Sequence, residues 1–267
     1  MNPQLNNPTK PNHHISKFIH YLPMTNYIRI FSLLTTLVSS IAFAATPTAE
    51  EKAAWPKGIN PATLLVNTDS EPEITSSDFT SLYNGKDLTG WSVKGGKMLF
   101  EAQGDEIVGT NVLDEPNGFL CTDKIYTDFI FTAEFKWEVL GNSGFMFRAD
   151  TRPAPDSTDE HVFGYQSEMD DQERRWTGGI YGEKMNGWIY PLSKIEGHQA
   201  ARAAIQDHRT WNRVTILAQG EVIKTWINGI PCAHSIDNLR SEGFFGLQIH
   251  SGPKGTVHWR NIKVKEL

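Results

Sequence analysis

From Asp78 to the C-terminus, short runs of alternating apolar and polar residues are separated by Gly, Asn, Asp and Pro. The clearest run is Phe129–Val139, in which aromatic and aliphatic residues alternate with Thr, Glu and Lys. Because successive side chains of a strand point to opposite faces, this run predicts a strand with one buried side and one wetted side. Many such runs with turn signals between them, and no long helical pattern, favour an all-β sandwich or barrel.

Turn residues between neighbouring runs predict where the chain reverses. Gly141-Asn142 predicts a hairpin between Phe129–Val139 and Gly144–Ala149. Gly220-Glu221 and Asn228-Gly229 predict two further tight turns, each between strand-like runs. Turns at this frequency are typical of antiparallel β proteins.

Two longer segments lack a strand pattern. Thr151–Glu160 contains two prolines and three acidic residues, so it is predicted to be an exposed loop. Gly187–Asp207 is predicted to be a long excursion with a short helix around Gln199–Ile205. Loops of this length in a compact domain are often functional.

The N-terminus has the character of a targeting segment. Residues 1–44 contain three basic residues and no acidic one, and Ile30–Phe43 within them is apolar. The segment ends in Ala42-Phe43-Ala44, a small-x-small cleavage pattern. We therefore predict a secretory signal peptide over residues 1–44, cut after Ala44 or Ala45, and a protein that is exported to the periplasm or secreted.

The sequence leaves two questions open for this segment. The true start is either Met1 or Met24, and the apolar run is either a cleaved signal or an uncleaved membrane anchor. The run is shorter than the ~20 residues that a spanning helix needs. Residues 45–75, which contain four prolines, are predicted to be a linker that either drapes on the domain or stays mobile. Residues 76–267 form the predicted domain.

Charge and cysteine content restrict the partners. The chain has a formal net charge of -6, and removal of residues 1–44 leaves 22 basic against 31 acidic residues, a charge of -9. A chain without a basic footprint is not expected to bind nucleic acid. The two cysteines, Cys121 and Cys232, cannot form a disulfide scaffold or an all-cysteine zinc site. The sequence leaves open whether they bond to each other.

The most informative polar segment is Gly164–Asp170. In a strand, Gln166, Glu168 and Asp170 share one face, and the two carboxylates lie about 7 Å apart. Such a pair suits either a divalent-cation site or a base with a supporting charge. The alternative is a solvated edge strand with ordinary surface acids.

A second polar row lies in Gly246–His250, where Gln248 and His250 share a face opposite Leu247 and Ile249. Histidine is a natural proton carrier near neutral pH. The alternative is a sheet histidine whose hydrogen bonds are simply satisfied.

Arg148 lies an even number of residues from Gly144 and Met146, so it shares their face in a regular strand. An arginine beside apolar neighbours can bind a carboxylate or a sugar hydroxyl. It can equally hold a neighbouring acid in place. Eight polar residues could then line one sheet face, although periodicity does not show that their strands are neighbours: Glu134, Lys136, Arg148, Gln166, Glu168, Asp170, Gln248 and His250.

Aromatic residues crowd the Gly-rich stretch Thr177–Gly182, namely Trp176, Tyr181, Trp188 and Tyr190. Exposed aromatic faces stack on sugar rings, but the same residues also serve as core anchors, and the sequence does not decide between these roles. The chain has no P-loop, no G-x-S-x-G, no H-E-x-x-H and no C-x-x-C, so the corresponding mechanisms lack support.

Several segments, in order, resemble the 3-keto-disaccharide hydrolase domain (DUF1080) family over about residues 76–267. They are Asp78–Trp91, Asn142–Arg148, Gly164–Asp170, Thr177–Gly182, Trp211–Gly229 and Gly243–Leu267. The resemblance implies a concanavalin A-like jelly-roll β-sandwich with long loops on one side. It also implies an exported enzyme that acts on glycosides already oxidised at C3, with a small carbohydrate or glycoside as its substrate.

The chemistry of such a substrate defines the groups that it needs. A C3 ketone acidifies the C2 proton, a base removes that proton, the C1–oxygen bond breaks by β-elimination, and water addition completes a net hydrolysis. His250 or Glu168 is the predicted base. The enolate is stabilised by Arg148, by Lys136 or by a divalent cation held by Glu168 and Asp170.

The remaining predicted substrate contacts are Tyr181 and Gln248, which would orient the sugar, and Gln166, Glu134 and Trp188. Two other functions compete with the 3-keto-glycoside hydrolase or lyase. The first is a non-catalytic carbohydrate-binding module, and the second is an interaction module of the cell envelope.

Overall fold

The computed structural model describes residues 55–155, 160–170, 174–205 and 207–267. The predicted signal peptide and residues 45–54 of the predicted linker lie outside the described residues. In the part of the chain that is described, no helix is long and apolar enough to cross a membrane.

Fifteen strands occur within the described residues. In chain order they are β1 (Thr80–Ser81), β2 (Trp91–Gly95), β3 (Leu99–Gln103), β4 (Glu106–Thr110), β5 (Gly118–Thr122), β6 (Phe129–Val139), β7 (Ser143–Pro153), β8 (Glu160–Met169), β9 (Ile180–Glu183), β10 (Gly187–Tyr190), β11 (Asn212–Gln219), β12 (Val222–Ile227), β13 (Ile230–Ile236), β14 (Phe244–Ile249) and β15 (Thr256–Glu266).

The strands pair into two antiparallel sheets. The eight-stranded sheet has the order β13-β12-β11-β6-β15-β4-β3, with β1 also paired to β15, and the seven-stranded sheet has the order β10-β9-β8-β7-β14-β5-β2. Because many neighbours in these sheets are distant in sequence, the chain crosses repeatedly between layers. The predicted all-β jelly-roll sandwich is confirmed.

Helical structure is limited to single turns in the described residues. Three-residue 3₁₀ turns lie at Pro61–Thr63, Leu192–Lys194 and Glu196–His198, and a short α-helix spans Gln199–Arg202. The short helix predicted near Gln199 is therefore confirmed. The first four residues of the predicted excursion, Gly187–Tyr190, form strand β10.

The core lies between the sheets and is dominated by aromatic side chains. Phe129 and Phe131 of β6 contact Phe245 of β14 with ring centroids 4.6 and 4.7 Å apart, and Phe135 lies 5.7 Å from Phe145 of β7. Such pairs contribute about 0.5–1.5 kcal/mol each beyond the area that they bury. The predicted inward face of Phe129–Val139 is confirmed, and it forms the contact between the two layers.

One predicted hairpin is wrong. β6 pairs with β11 and β15 in the eight-stranded sheet, whereas β7 pairs with β8 and β14 in the seven-stranded sheet. Gly141-Asn142 therefore connects the two layers, and this allows the apolar side chains of β6 and β7 to face each other across the core.

The other two predicted turns are confirmed. β11 and β12 pair from Val214↔Ile227 to Gln219↔Val222, which places Gly220-Glu221 at their tip. Asn228 and Gly229 both have positive φ, 53° and 81°, as a two-residue hairpin turn of type I′ requires.

Residues 55–75 pack along the domain, the first of the two arrangements expected for them. The buried Asn67 amide donates to the Thr225 carbonyl at 3.0 Å, and the Trp226 indole donates to the Asp69 carbonyl at 2.9 Å. The Arg213 guanidinium also donates to the Glu71 carboxylate at 3.0 Å. These contacts tie the segment to β11 and β12.

The two cysteines are free thiols in the described structure. Both are buried, Cys121 in β5 and Cys232 in β13 of the other sheet. Burial raises the pKa of the Cys232 thiol to about 12 and also raises that of Cys121. Since the thiolate is the reactive form, neither cysteine is a candidate nucleophile.

The predicted single polar face does not include Arg148. A bulge in β7 shifts the register between Phe147 and Asp150, and Arg148 has a φ of 46° there. Its buried guanidinium donates to the Thr127 carbonyl at 2.9 Å and to the Gly220 carbonyl at 2.7 Å. Strict alternation of faces fails at a bulge, so the parity argument that grouped Arg148 with Glu168 is wrong.

Glu134 and Lys136 are also absent from the polar face predicted for them, because β6 belongs to the other sheet. Lys136 Nζ lies 4.4 Å from the centroid of the Trp211 ring, and Glu134 accepts a hydrogen bond from Arg260 at 2.6 Å. These contacts place both side chains in a surface network on the eight-stranded sheet.

The Arg148 contacts predict a large loss of stability when this side chain is removed. Arg148 is 1% exposed and also pairs with Asp128 at 2.9 Å. Arg148→Met removes the donor to three carbonyls, those of Thr127, Gly220 and Arg240, and the charged partner of this carboxylate, which keeps a hydrogen bond from the Gly220 amide. We therefore expect the free energy of unfolding to fall by about 3 kcal/mol. Urea unfolding measures this change. The exposed Arg209→Met serves as the control, and an equal stability of both variants would contradict the expectation.

Candidate functional site

A hollow of about 760 Å³ opens on the outer face of the seven-stranded sheet, and it is called the central hollow below. Strands β8, β9 and β10 supply much of its lining, and the loops after β4 and β14 supply part of the rest. The lining residues that bear on its chemistry are Asn117, Asn142, Gln166, Glu168, Trp176, Tyr181, Glu183, Trp188 and His250. Pro56 and Lys57 of the N-terminal segment complete it.

Strand alternation along β8 brings the acid of the hollow into position. Tyr165 and Met169 point into the core, whereas Gln166 and Glu168 point to the opposite face and line the hollow. Gly144 of β7 is the register partner of Glu168. The face predicted for Gln166 and Glu168 is therefore confirmed.

Glu168 has an unusual environment for a carboxyl group. It is only 4% exposed, and it accepts hydrogen bonds from the Gln166 amide at 2.9 Å and from the Asn142 amide at 3.4 Å. Burial raises its pKa to about 8, opposed by the two amide donors and assisted by Asp170 and Glu183. Glu168 is therefore mainly protonated at neutral pH, and its conjugate base is stronger than that of an ordinary glutamate.

Glu183 is a second buried acid in the hollow that the sequence analysis missed. It lies on β9 and is 8% exposed. Burial raises its pKa, and Lys184, His250 and Asn117 partly oppose this shift. A signal was available, because Tyr181 and Glu183 are two residues apart and share a face if their segment forms a strand.

His250 lies at the rim of the hollow. β14 ends at Ile249, so His250 is one residue beyond the strand and is exposed. Its Nδ1 is 2.5 Å from the Ser251 carbonyl, and the Ser251 amide donates to Asn117 Oδ1 at 2.8 Å. The structure thus brings His250 to the same hollow as Glu168, but by a loop and not by the strand face predicted for it.

Gln248, by contrast, is fully buried and is not among the residues that line the hollow. Neither polar atom of its side chain has a hydrogen-bond partner in the described part of the chain, and Gln166 Oε1 also lacks one there. Buried polar atoms without partners are uncommon and are costly to a fold. Of the two glutamines, only Gln166 is placed to use this capacity on a bound molecule.

Asp170 does not complete a cation site with Glu168. Its buried carboxylate forms an ion pair with Arg174, and its backbone amide donates to the Thr177 hydroxyl at 2.8 Å. Within the described residues, no group of three or more His, Cys, Asp or Glu side chains is placed to hold a metal ion. The described residues around Glu168 therefore do not form the divalent-cation site predicted for Glu168 and Asp170.

Three of the four aromatic residues singled out in the sequence form one cluster in the hollow. Trp188 contacts Trp176 and Tyr181 edge to face, with ring centroids 5.2 and 5.4 Å apart, and all three rings line the hollow and are partly exposed. Tyr190 is instead a core residue, and its hydroxyl donates to the Leu65 carbonyl at 2.6 Å. The cluster offers an aromatic surface beside Glu168.

Comparison with known families identifies the family of this chain. The sequence model of one protein family, described as the 3-keto-alpha-glucoside-1,2-lyase-like domain, matches residues 78–265. The chain belongs to this family. The buried acids and the aromatic cluster all lie within the matched region of this lyase-like domain, whereas Pro56 and Lys57 precede it.

Solved structures support the fold of the lyase-like domain. A candidate glycosyl hydrolase from Parabacteroides distasonis is 20% identical, has a TM-score of 0.51, and the match covers 84% of this chain and 100% of that chain. A galectin-like protein of unknown function from Bacillus subtilis is 16% identical, with a TM-score of 0.51 and coverage of 70% and 94%. No curated protein matches the chain. At these identities the likeness shows the fold alone.

The raised pKa of Glu168 predicts how stability depends on pH. The pKa rises from an ordinary 4.5 to about 8 on folding, so the folded state binds the proton more tightly and loses stability as pH rises between these values. Each pH unit in this window costs about 1.4 kcal/mol for one such group. Glu168→Gln, which cannot ionise, is expected to gain stability relative to the wild type between pH 5 and pH 8 in urea unfolding. Parallel pH curves for the two proteins would contradict this.

Gly144 predicts a positioning effect on the same carboxyl. A Cβ at this position would lie 2.5 Å from Cδ of Gln166, so Gly144→Ala must displace the amide that donates to Glu168. Overpacking of this kind costs about 1–3 kcal/mol, and the lost donor is expected to raise the pKa of Glu168 further. Urea unfolding measures the loss of stability, and a carbon-13 titration of the carboxyl measures the pKa of Glu168. The control is Gly255→Ala, where the nearest atoms lie at 3.7 and 3.9 Å.

Proposed function

We propose that this lyase-like domain cleaves 3-keto-glycosides by abstraction of the C2 proton, β-elimination at C1 and addition of water. Family membership supports the substrate class. The observation that carries the proposal is the Glu168 carboxyl, which is buried in an open hollow and has a pKa of about 8. We also propose, from the composition of residues 1–44, that the protein is exported.

The proposed reaction balances as a hydrolysis. Glu168 takes the C2 proton, and the C2–H electron pair moves into an enolate that ends on the C3 oxygen. This electron density then forms the C1–C2 double bond and expels the C1 oxygen, which takes a proton and leaves as the aglycone alcohol. Water adds across the double bond to give the free 3-keto sugar. A carboxylate with a raised pKa suits this reaction because base strength follows pKa.

Position in the hollow suggests roles for the other polar groups. The Asn142 amide lies beside Glu168 and is proposed as the donor to the enolate oxygen, in the place first predicted for Arg148 or Lys136. His250, the alternative base in the sequence analysis, lies at the rim near Glu183 and is proposed to form a hydrogen bond with the leaving group. An amide donor such as that of Asn142 stabilises charge that develops during the reaction.

The aromatic cluster favours a second candidate, a carbohydrate-binding module without catalysis. Trp176, Tyr181 and Trp188 offer ring faces to a sugar whether or not a bond is then broken. This candidate requires that a 3-keto-glucoside binds without turnover and that its affinity depends on the aromatic residues and not on Glu168.

Glu168→Gln provides the test of catalysis. With 4-nitrophenyl 3-keto-glucoside, we expect its rate of aglycone release to fall more than about 100-fold, as is typical when a general base is lost. Wild-type kcat/KM is expected to rise about tenfold from pH 7 to pH 9, as a base with a pKa near 8 ionises. His250→Gln is expected to lower the rate without removing this rise.

The exposed Glu242→Gln is the matched control and is expected to keep wild-type activity. Full activity of Glu168→Gln would reject Glu168 as the base. Loss of the pH rise in His250→Gln would transfer that role to His250. Binding without any release by the wild type would favour the carbohydrate-binding module.

A further inference from the structure

Glu183 is a buried acid of the central hollow that the proposed reaction does not use. It is 8% exposed and lines the same hollow as Glu168. Burial raises its pKa, and the opposing effects of Lys184, His250 and Asn117 do not cancel this rise. A buried carboxyl favours its neutral form because the interior solvates the charged form poorly. Glu183 is therefore suited to carry a proton into the hollow.

Strand register places the two acids on either side of Tyr181. Glu183 is the register partner of Gly164, which lies four residues before Glu168 on β8. Tyr181 is the register partner of Gln166, which lies midway between those two positions. The two acids therefore enter the hollow from positions roughly 13 Å apart along the strand. A sugar that lies on the Tyr181 ring has one carboxyl on each side of it.

Electrostatic effects show that the two carboxyls act on the same space. Burial is the main cause of the raised pKa of Glu168, and the charge of Glu183 adds to it. Burial also raises the pKa of the Tyr181 hydroxyl, and the charges of both carboxyls add to that shift. Because like charges in one site disfavour each other, ionisation of one acid favours the protonated form of the other. Such a pair supplies a base and an acid together.

His250 connects Glu183 to the side of the hollow proposed for the leaving group. The imidazole acts on the charge of Glu183, and the Asn117 amide is a hydrogen-bond partner of the same carboxyl. His250 Nδ1 is 2.5 Å from the Ser251 carbonyl, and since a carbonyl only accepts, Nδ1 carries the proton of the neutral ring. Nε2 of that ring then has no proton to give. Neutral His250 can accept a hydrogen bond from the leaving group but cannot supply its proton.

We propose that Glu183 donates the proton that the C1 oxygen takes as the aglycone leaves. The inference rests on the proposed function. The Glu183 O–H bond breaks as the C1–oxygen bond breaks, and the proton joins the C1 oxygen, so the aglycone leaves as a neutral alcohol. The Glu183 carboxylate then removes a proton from the water whose oxygen adds to C1, while Glu168 returns its proton to C2. Both carboxyls end in the protonation states in which they began.

The test compares two aglycones that differ in their need for this proton. 4-Nitrophenolate is a weakly basic anion that leaves without a proton, whereas methoxide is strongly basic and needs one. In Glu183→Gln, kcat/KM for methyl 3-keto-glucoside is expected to fall more than about 100-fold, as is typical when a general acid is lost, and kcat/KM for 4-nitrophenyl 3-keto-glucoside less than about fivefold. The activity that remains on the aryl compound verifies that the variant is folded and that its base works.

Alkaline pH gives a second measurement that a purely structural role would not move. When both carboxyls are ionised, the wild type keeps its base but loses its acid. The methyl-to-aryl ratio of kcat/KM is therefore expected to fall at high pH in the wild type and to stay low and constant in Glu183→Gln. The exposed Glu242→Gln is the matched control and is expected to keep the wild-type ratio at every pH.

The outcomes separate this proposal from the proposed function. An equal loss for both glycosides in Glu183→Gln, or no loss for either, would overturn the proposal while an active wild type upholds the proposed function. A selective loss for the methyl compound in His250→Gln, absent from Glu183→Gln, would transfer the acid role to His250 and would also overturn it. If the wild type releases neither methanol nor 4-nitrophenol, the proposed function fails, and this proposal fails with it.

Discussion

The site depends on one constraint, the burial of strand β8 on both of its faces. Tyr165 and Met169 lie in the core on one side, and Gln166 and Glu168 are almost equally inaccessible on the other. The outer face of a sandwich sheet is ordinarily wetted, and a glutamate there is an unremarkable surface acid. In this chain the neighbouring strands and loops enclose that face, so water cannot fully solvate the carboxylate. The raised pKa of Glu168 and its protonation at neutral pH both follow from this loss of solvation.

The enclosed face also carries hydrogen-bonding capacity that the fold does not use. Among the described residues, Glu168 has two amide donors, one of them at 3.4 Å, and Gln166 Oε1 has no hydrogen-bond partner. An unmet buried polar group costs free energy in the folded chain, and a ligand that supplies the missing partner recovers it. A hydroxyl-rich molecule suits the central hollow for this reason, and the rings of Trp176, Tyr181 and Trp188 add the apolar surface that a sugar also needs.

Strand periodicity predicted the fold class and the facing of Gln166 and Glu168, because alternation within one regular strand depends only on local geometry. It failed for Arg148, where a bulge in β7 reverses the side chain, and for Lys136, whose strand lies in the other sheet. Parity identifies the face on which a residue lies but not the sheet to which its strand belongs. Glu183 was accessible to the same argument and was missed, since its strand is only four residues long.

The wall of the central hollow comes from two parts of the chain. The acids and the aromatic cluster belong to the matched region, whereas the wall that carries Lys57 precedes it. One contact of that segment, the ion pair between Lys224 and the largely exposed Asp69, contributes little because water and salt screen it. The buried hydrogen bond of the Asn67 amide costs more to break, because opening it strands a polar group in the interior. The segment is therefore a fixed wall of the central hollow and not a lid, so the shape of the hollow on this side is set by folding and not by a bound molecule.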